Sequence, residues 1–555
     1  MSDYSDDDNN YFIIRNEKVT NIESGQNNPR VLLFTKDEID DPKCFITIIS
    51  PEGKEVNITG DVDDAMDMAF IAKDLQVSFE DDKKLLRKID IYLLPFICIL
   101  YAIQFMDKVT NADAAIMGLI PDLKMHGDQF SWTGSAFYFG YLGGLFVFPP
   151  LLQSSRWFMK NVSVIVILWG MVLACHAASS VNYASFIFLR CLLGFLESAI
   201  TPSFIILMCQ YWKQNEQFVR MCLWFSFNGL GTILSGVLSY GLYIREYSYS
   251  MQAWKVLFVI TGIITIFLGG ILWFHIPDNP SKAWFLTERE KLMVVQRLRS
   301  NQQGFGNRHV KKYQVFEALS DVRTWLYFLY SVCCQIPNGG LTNFTAILLT
   351  EDFGYDIKNS LLMVLPAGVV ELIGCPLLGL LCFYLSMKTL GKKTKMLGHS
   401  LVWAFIVNII VLVATCMLAF AKDSKRARLA GTYLWYLLPL SFVCILSNIS
   451  SNTLGYTKKW TVSSLNMMAY AAANIAGPQT FISKQAPNYQ GAKVAMVVCS
   501  AVGCVILVVL YMLNVKENNR RDGMTKNPEG KILNIENIEF ADLTDSQNPN
   551  FRYNL

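Results

Sequence analysis

The sequence predicts an all-α membrane protein whose twelve transmembrane helices form two six-helix halves, and three observations support this fold class. Hydrophobic residues make up 52% of the 555 positions and charged residues 17%, whereas soluble domains carry roughly 25% charged residues. Apolar segments of roughly 20 residues, the length that crosses a bilayer, recur twelve times along the chain. A charged stretch separates the first six segments from the last six.

Residues 1–82 are predicted to form a cytoplasmic, largely disordered N-terminal tail. Acidic clusters such as SDDD, DEIDD and FEDD alternate there with apolar stretches that are too short to support a domain core. The acidic start does not resemble a cleavable signal peptide, so we expect the first transmembrane helix to act as the targeting signal. The basic, amphipathic sequence KKLLRKID leads into that helix.

Two groups of apolar segments follow, each long enough to pair its backbone amides within one helix inside a bilayer. In the first half, residues 83–276, we place helices at 91–109, 130–152, 162–180, 183–206, 222–243 and 255–276. In the second half, residues 324–514, we place them at 325–349, 360–386, 398–420, 431–453, 462–482 and 492–514. Residues 277–323 form a linker rich in Lys and Arg, and residues 515–555 form a C-terminal tail.

The distribution of Lys and Arg predicts that both termini and the linker lie in the cytoplasm. The lead-in KKLLRKID, the linker, the loop KTLGKKTK and the tail segment KENNRR all fall on the inner side when the N-terminus is inside. The loop KDSKRAR, between the ninth and tenth helices, argues the other way because it falls outside. The flanks and the linker outweigh that loop. We expect the protein to lie in the plasma membrane.

Composition and motifs exclude several classes of function. A net charge of +3 is too small to indicate a nucleic-acid partner, and the fourteen cysteines lack a CxxC pair, so they indicate neither a disulfide framework nor a metal site. The sequence has no Walker A motif, which argues against transport driven directly by ATP. It also lacks the His, Asp and Glu cluster of a membrane hydrolase. We therefore expect no enzyme activity, no cofactor and no metal, and a monomer surrounded by lipid.

The most informative positions are ionisable residues inside the helices, because each costs several kcal/mol in lipid unless it is paired or faces water. In FLRCLLGFLESAITP, a cation and a carboxylate, Arg190 and Glu197, share one helix face with Gly194 and Thr201. The glycine would let another helix approach closely. Asp107, in the first helix, is the expected partner of Arg190. These residues predict either a permanent salt bridge or a group that takes part in proton coupling or gating.

Glu371 stands alone in LLMVLPAGVVELIGCPLLG, near the middle of the eighth helix. The surrounding Pro and Gly residues predict a kinked and locally opened helix. An isolated carboxyl in an apolar setting favours its protonated form, so Glu371 is a candidate proton-binding group. The alternative is an acid that simply faces an aqueous cavity.

Polar amides and one tyrosine inside the helices predict a polar cavity for substrate. The candidates are Gln104, Tyr138, Asn228, Gln335, Asn338, Asn343, Asn448, Asn474 and Gln479. The stretch QIPNGGLTN predicts an interrupted seventh helix, and broken helices often carry the substrate sites of transporters. The glycine series in NGLGTILSGVLSYG predicts close helix packing.

Several motifs together resemble fungal allantoate permease-type transporters, the anion:cation symporter family of the major facilitator superfamily. The matching segments include RKIDIYLLPFICILYAIQFMDKVTNADA, FSWTGSAFYFGYLGG, FLRCLLGFLESAITP, IPDNPSKAWFLTERE, LPAGVVELIG and NIAGPQTF, in the family's order. The resemblance covers about Asp63 to Leu513, nearly the whole membrane region. The loop LLQSSRWFMKN departs from the wider superfamily, since it lacks the G-x-x-x-D-R signature.

What the resemblance implies is the major facilitator fold and proton symport of small organic anions such as carboxylates, ureido acids, vitamins or amino-acid-like solutes. It places the family's functional acids and arginine on Asp107, Arg190, Glu197 and Glu371. A nutrient sensor on the same fold, with little transport, is the alternative. Sensors usually carry a long cytoplasmic extension, whereas the acidic tail here is of modest length.

The predicted topology can be tested with protease tags. Tags at the N-terminus, in the linker near Lys311 and at the C-terminus should be protected from external protease in intact cells, because all three are expected in the cytoplasm. A linker tag cleaved from outside would contradict the arrangement in two halves.

Overall fold

The computed structural model describes residues 46–49, 55–58, 75 and 77–555, except 154, 156, 179–181, 299–309, 390–398, 422, 526–541 and 549–550. Before the membrane helices, strands β1 (Ile46–Ile49) and β2 (Glu55–Ile58) pair antiparallel, with Ile46 opposite Ile58. The rest of the predicted N-terminal tail, up to residue 74, lies outside the described residues.

Twelve long helical passes, numbered here span 1 to span 12, follow in the part of the chain that the structure describes. Span 1 is Phe79–Ala114, extended by a π-helical turn Ala115–Leu119 and by Ile120–Asp122; span 2 is Gln129–Gln153; span 3 is Phe158–Cys175; span 4 is Tyr183–Glu197 and Ile200–Tyr211; span 5 is Gln214–Ile244; span 6 is Ala253–His275. Each of the six predicted positions in the first half overlaps one of these spans.

The second half repeats the pattern after a linker with two helices, Glu288–Leu298 and Lys312–Ser320. Span 7 is Val322–Glu351; span 8 is Ile357–Met363 and Leu365–Thr389; span 9 is Ser400–Phe420; span 10 is Lys425–Trp435 and Leu438–Asn452; span 11 is Tyr456–Gln479; span 12 is Gln490–Thr525. Short 3₁₀ turns lie at Glu246–Ser248, Pro280–Lys282 and Ser483–Gln485.

Ten of these spans are long and apolar enough to cross a membrane by length and composition. Spans 7 and 11 are the two outside that set, although the described residues place them among the other helices. Both carry many buried polar side chains, including Gln335 and Asn343 in span 7 and Lys459 and Asn474 in span 11. Their polarity is therefore directed towards the interior of the bundle.

Glycines bring pairs of helices into backbone contact. A Cβ atom added at Gly194 in span 4 would lie 1.8 Å from the carbonyl oxygen of Phe137 in span 2, and one at Gly140 would lie 1.7 Å from that of Cys191. The close approach predicted at Gly194 is therefore present. Spans 5 and 8, from different halves, meet in the same way, with 2.2 Å from a Cβ at Gly229 to the oxygen of Gly368.

The interruption predicted in span 7 is wrong. Val322–Glu351 is one continuous helix with Pro337 inside it. The adjacent Gly339 packs on span 11, where a Cβ atom would lie only 2.7 Å from Cα of Asn474. The glycines of this stretch therefore serve helix contact and do not break the helix. Span 8 is interrupted at Val364, two residues before Pro366, but around Glu371, where a kinked and opened helix was predicted, Leu365–Thr389 is one continuous helix with Pro376 inside it.

The basic loop that conflicted with the predicted orientation is partly neutralised. Arg428, from KDSKRAR, contacts Asp352 at 2.9 Å, and Lys493 contacts the same carboxylate at 2.9 Å. Asp352 lies at the end of span 7 with its side chain 1% exposed. Part of the positive charge of this loop is therefore paired within the protein. The loop is accordingly weaker evidence about which side of the membrane it faces.

The last residues of the chain dock on the ends of spans 10 and 12. The backbone of Tyr553 exchanges two hydrogen bonds with the Asn518 amide, both of 2.8 Å, and Asn554 exchanges two with Asn452, of 2.6 and 2.8 Å. Tyr553 also packs with Phe551 and Leu454 in a small apolar cluster. The C-terminal segment is therefore part of the folded second half.

Replacing Tyr553 with Ala should lower the thermal unfolding midpoint of the detergent-solubilised protein. The ring is buried, stacks under Arg323 at 4.0 Å, and its hydroxyl donates to Asp545 at 2.7 Å. Removing a buried aromatic side chain costs about 3–5 kcal/mol. The control is Lys291→Ala, which removes a pair with the exposed Glu288 in the linker helix. Equal midpoints for both variants would show that the docked tail does not stabilise the fold.

Candidate functional site

A central cavity of about 40 Å³, lined by residues of both halves, lies between them. Its charged lining residues, within the part of the chain described, are Lys108 from span 1 and Glu371 from span 8. Polar and aromatic side chains complete the wall: Tyr101, Tyr141, Thr201, Asn228, Gln335, Asn338, Trp435, Tyr436, Phe442 and Tyr470.

An ion pair borders this cavity. The ammonium of Lys108 lies 2.8 Å from Oε1 of Glu197, whose side chain is fully buried, while that of Lys108 is 11% exposed. Glu197 ends the first helix of span 4, and Gln104, one turn before Lys108, lies beside it. The cation therefore has one side towards a buried carboxyl and the other towards the cavity.

Lys108 was missed by the sequence reasoning. The predicted first helix ended at residue 109, one residue after Lys108. Span 1 instead runs to Ala114, because the polar Thr110, Asn111 and Asp113 are buried against other helices. The rule that singled out Arg190, that a charge inside a helix must be paired or face water, applies equally to Lys108.

The expected pair of Arg190 with Asp107 is not formed. Arg190 donates from Nη2 to Oδ1 of Asn111 at 2.6 Å, and Asn111 donates to Thr133 at 3.0 Å. Asn111 lies one turn beyond Asp107 on the same face of span 1, so the guanidinium reaches the amide instead. Its carbon also lies 5.4 Å from the ring centre of Phe186, a cation–π distance.

Asp107 is 1% exposed and lies near Trp169 and Glu197. Among the described residues it forms no ion pair. Asp107, Lys108, Arg190 and Glu197 thus form a charge cluster shared by spans 1 and 4, with two acids and two bases. Such a cluster is neutral when all four are ionised, and adding one proton leaves a net positive charge next to the cavity.

Glu371 occupies the opposite wall of the cavity. It is 1% exposed and lies beside Asn228 of span 5. In the described part of the chain it makes no ion pair, in agreement with its isolated position in the sequence. The structure therefore places two separate acidic groups, Glu197 with its lysine and Glu371 alone, around one space.

The residues predicted to line a polar substrate cavity lie at different places in the structure. Asn228, Gln335 and Asn338 line the cavity. Tyr138 packs against Tyr470, with ring centres 5.8 Å apart, and Asn474 lies behind the wall, where it accepts a hydrogen bond of 3.1 Å from Asn338.

Three candidates do not line this cavity in the structure. Asn343 donates to Gly339 O at 2.8 Å and packs on Gly134 of span 2. Gln479 donates to Ser135 at 2.9 Å. Asn448 accepts from Tyr327 at 2.7 Å and donates to the docked tail. An amide in an apolar run does not reveal which face or depth of the bundle it occupies.

The two halves also touch on both sides of the cavity. At one end, Ser135 of span 2 donates to the oxygen of Ile475 in span 11 at 2.9 Å. At the other, Cys209 of span 4 lies 3.2 Å from Ser450 of span 10, which donates to Gln217 at 2.8 Å. Each end is thus held by a few hydrogen bonds, which can be exchanged at low cost.

Comparisons with known proteins agree with this architecture. Residues 97–506 match the family described as Major Facilitator Superfamily. The chain is 57% identical over 510 residues to the allantoate permease of Saccharomyces cerevisiae, covering 92% of this chain and 93% of that protein. It is 32% identical over 520 residues to the thiamine pathway transporter THI73 of the same yeast, covering 93% and 94%.

A solved structure shares the fold. It is a bacterial homolog of the human lysosomal transporter Spinster in an inward-facing and occupied conformation, with a TM-score of 0.50 and 14% identity over 76% of this chain and 96% of that one. The match in sequence to the family extends over most of both halves. The chain therefore belongs to the major facilitator superfamily, is similar to the allantoate permease-type transporters that its motifs predicted, and is an integral membrane transporter, not an enzyme.

Proposed function

We propose that the protein takes up a small organic anion together with protons, by alternating access of the central cavity. The observation that carries this proposal is the Lys108–Glu197 pair of 2.8 Å at the cavity wall. Lys108 would receive the carboxylate of the substrate, and Glu197 would carry the proton. The site of action would be the plasma membrane, with both termini in the cytoplasm and a monomer as the working unit.

Proton binding and anion binding are linked through the shared lysine. While Glu197 is ionised, its carboxylate holds Lys108 and competes with the substrate. Protonation of Glu197 leaves the ammonium without its partner in a space of low dielectric, where an unpaired charge is costly. A carboxylate entering the cavity then removes that cost. By thermodynamic reciprocity, the anion also favours the protonated form of Glu197.

The energetics of anion uptake require such a link between proton binding and anion binding. Moving an anion into a cell with a negative interior costs about 2.3 kcal/mol per charge per 100 mV. One accompanying proton cancels this cost for a monoanion, and a second would let the membrane potential drive uptake. Glu371, alone on the opposite wall, is the candidate for that second proton.

The cavity favours a ureido carboxylate as the substrate class. The amides of Asn228, Gln335 and Asn338 offer donors and acceptors that match a urea group, while Lys108 matches a carboxylate. The name of the yeast relative, allantoate permease, describes a substrate of this kind. Tyr141 and Tyr470 supply flat surfaces between these polar groups.

Substituting each glutamate by glutamine tests the coupling. Glu197→Gln should abolish acid-stimulated accumulation of radiolabelled allantoate while exchange across the membrane persists, because the variant cannot release a proton but keeps the cavity. Glu371→Gln should reduce the acid stimulation. The control is Lys255→Gln, which breaks a pair of 3.5 Å with Asp122 far from the cavity lining. Unchanged acid stimulation in both glutamine variants would refute the mechanism.

A double substitution tests the pairing itself. Lys108→Gln alone should lower the amount of folded protein, because it leaves the buried Glu197 without its cation, a loss of about 3–5 kcal/mol in comparable pairs. Adding Glu197→Gln should restore much of the folded protein, measured by fluorescence-detected size exclusion, without restoring uptake. If the double variant is no more stable than Lys108→Gln, the two side chains do not interact as proposed.

A further inference from the structure

Span 1 carries a second buried carboxyl besides Asp107, and it has no role in the mechanism above. Asp113 is 1% exposed, and its Oδ2 accepts hydrogen bonds from two serines of span 5, Ser235 at 2.5 Å and Ser239 at 3.1 Å. The serines lie one helical turn apart and are fully buried. No Lys, Arg or His forms an ion pair with Asp113 in the part of the chain that the structure describes.

Asp113 also lines a second, smaller cavity of about 10 Å³ between the halves. Span 1 contributes Asp113 and apolar side chains to it, and the facing wall carries the hydroxyls of Thr342 and Thr345 from span 7 and of Tyr436 from span 10. The small volume suits water or a small ion better than an organic solute. A carboxyl of one half and hydroxyl groups of the other therefore line the same small space.

The small cavity neighbours the central one. Phe105 and Tyr436 line both, so these two rings separate the spaces. Asp113 lies five residues beyond Lys108 along span 1, a rise of about 7.5 Å. With the N-terminus in the cytoplasm, as proposed above, this direction leads outward. Asp113 thus lies between the central cavity and the outer side of the membrane.

The surroundings of Asp113 suit both of its protonation states. A hydroxyl can donate to a carboxylate, and it can turn to accept from a carboxylic acid. The ionised form, without a cation inside the membrane, is costly unless it is solvated or transient. An asparagine would join spans 1 and 5 equally well at lower cost, so a purely structural role does not require the acid.

We infer that Asp113, with Ser235 and Ser239, is a proton-binding site on the outer path to the central cavity. A proton from external water would bind the Asp113 carboxylate and then pass through water in the two cavities to the carboxylate of Glu197 or Glu371. This inference rests on the proposed proton coupling. Spans 5 and 7 present hydroxyls to Asp113, and the titratable groups that act from the other side are Tyr436 and, beyond it, Glu371.

The test compares acid-stimulated accumulation of radiolabelled allantoate with its counterflow in cells expressing each variant. Asp113→Asn keeps the shape and an acceptor for both serines but cannot bind a proton. The ratio of accumulation to counterflow should fall to near that of Glu197→Gln. Ser235→Ala/Ser239→Ala retains the carboxyl and removes two donors to its ionised form, so half-maximal uptake should move to higher external pH.

Ser226→Ala is the matched control, because this buried serine of span 5 bonds only the carbonyl of Leu223 among the described residues. Its pH profile should equal that of the wild type. A normal ratio of accumulation to counterflow in Asp113→Asn, together with an unshifted pH profile of uptake in the double serine variant, would overturn the inference. In that case, loss of coupling in Glu197→Gln would still leave the proposed function intact. Loss of a sodium dependence in Asp113→Asn would reassign the site to Na⁺, and a wild type without acid stimulation would overturn both proposals.

Discussion

The contact between Lys108 and Glu197 is the constraint on which the rest of the site depends. Two opposite charges held 2.8 Å apart beside a cavity are stable in a low dielectric only while both are ionised. Any proton or carboxylate that enters changes this balance by several kcal/mol. Asp107 and Arg190 belong to the same charge cluster, so one added charge changes the electrostatic energy of all four groups.

The helix packing keeps that cluster in place while the halves remain free to move. Within the first half, Gly140 and Gly194 join spans 2 and 4 at backbone distance, so the helix that carries Glu197 is held firmly. Between the halves, spans 5 and 8 also approach to backbone distance, through Gly229 and Gly368. The ends of the cavity are joined by neutral hydrogen bonds such as that of Ser135 to Ile475. Exchange of such hydrogen bonds about a fixed site suits rocking of the two halves.

Much of the fold could be predicted from the sequence, because an apolar run of membrane length is a strong signal. The predicted helix ends and breaks were less accurate where polar residues are buried between helices. Thr110 and Asn111 ended the predicted first helix early, although both are buried between helices. The sequence QIPNGGLTN predicted a break in span 7, but its glycines serve contact with span 11.

Only part of the candidate site could be predicted from the sequence. Arg190, Glu197 and Glu371 were identified because charge inside a helix is rare, and all three are buried. Which residue pairs with which depends on the rotation of one helix against another, and Asn111 took the place expected for Asp107. Asn343, Asn448 and Gln479 share the composition of cavity residues but not their location, which only the assembled bundle determines.

The central claim is that proton movement drives accumulation of the anion. Purified protein in liposomes, with an acidic exterior and no other energy source, provides the most direct measurement. Radiolabelled allantoate should rise inside the liposomes above its external concentration and fall again when a protonophore collapses the gradient. Uptake that only equilibrates, whatever pH gradient is imposed, would contradict the account.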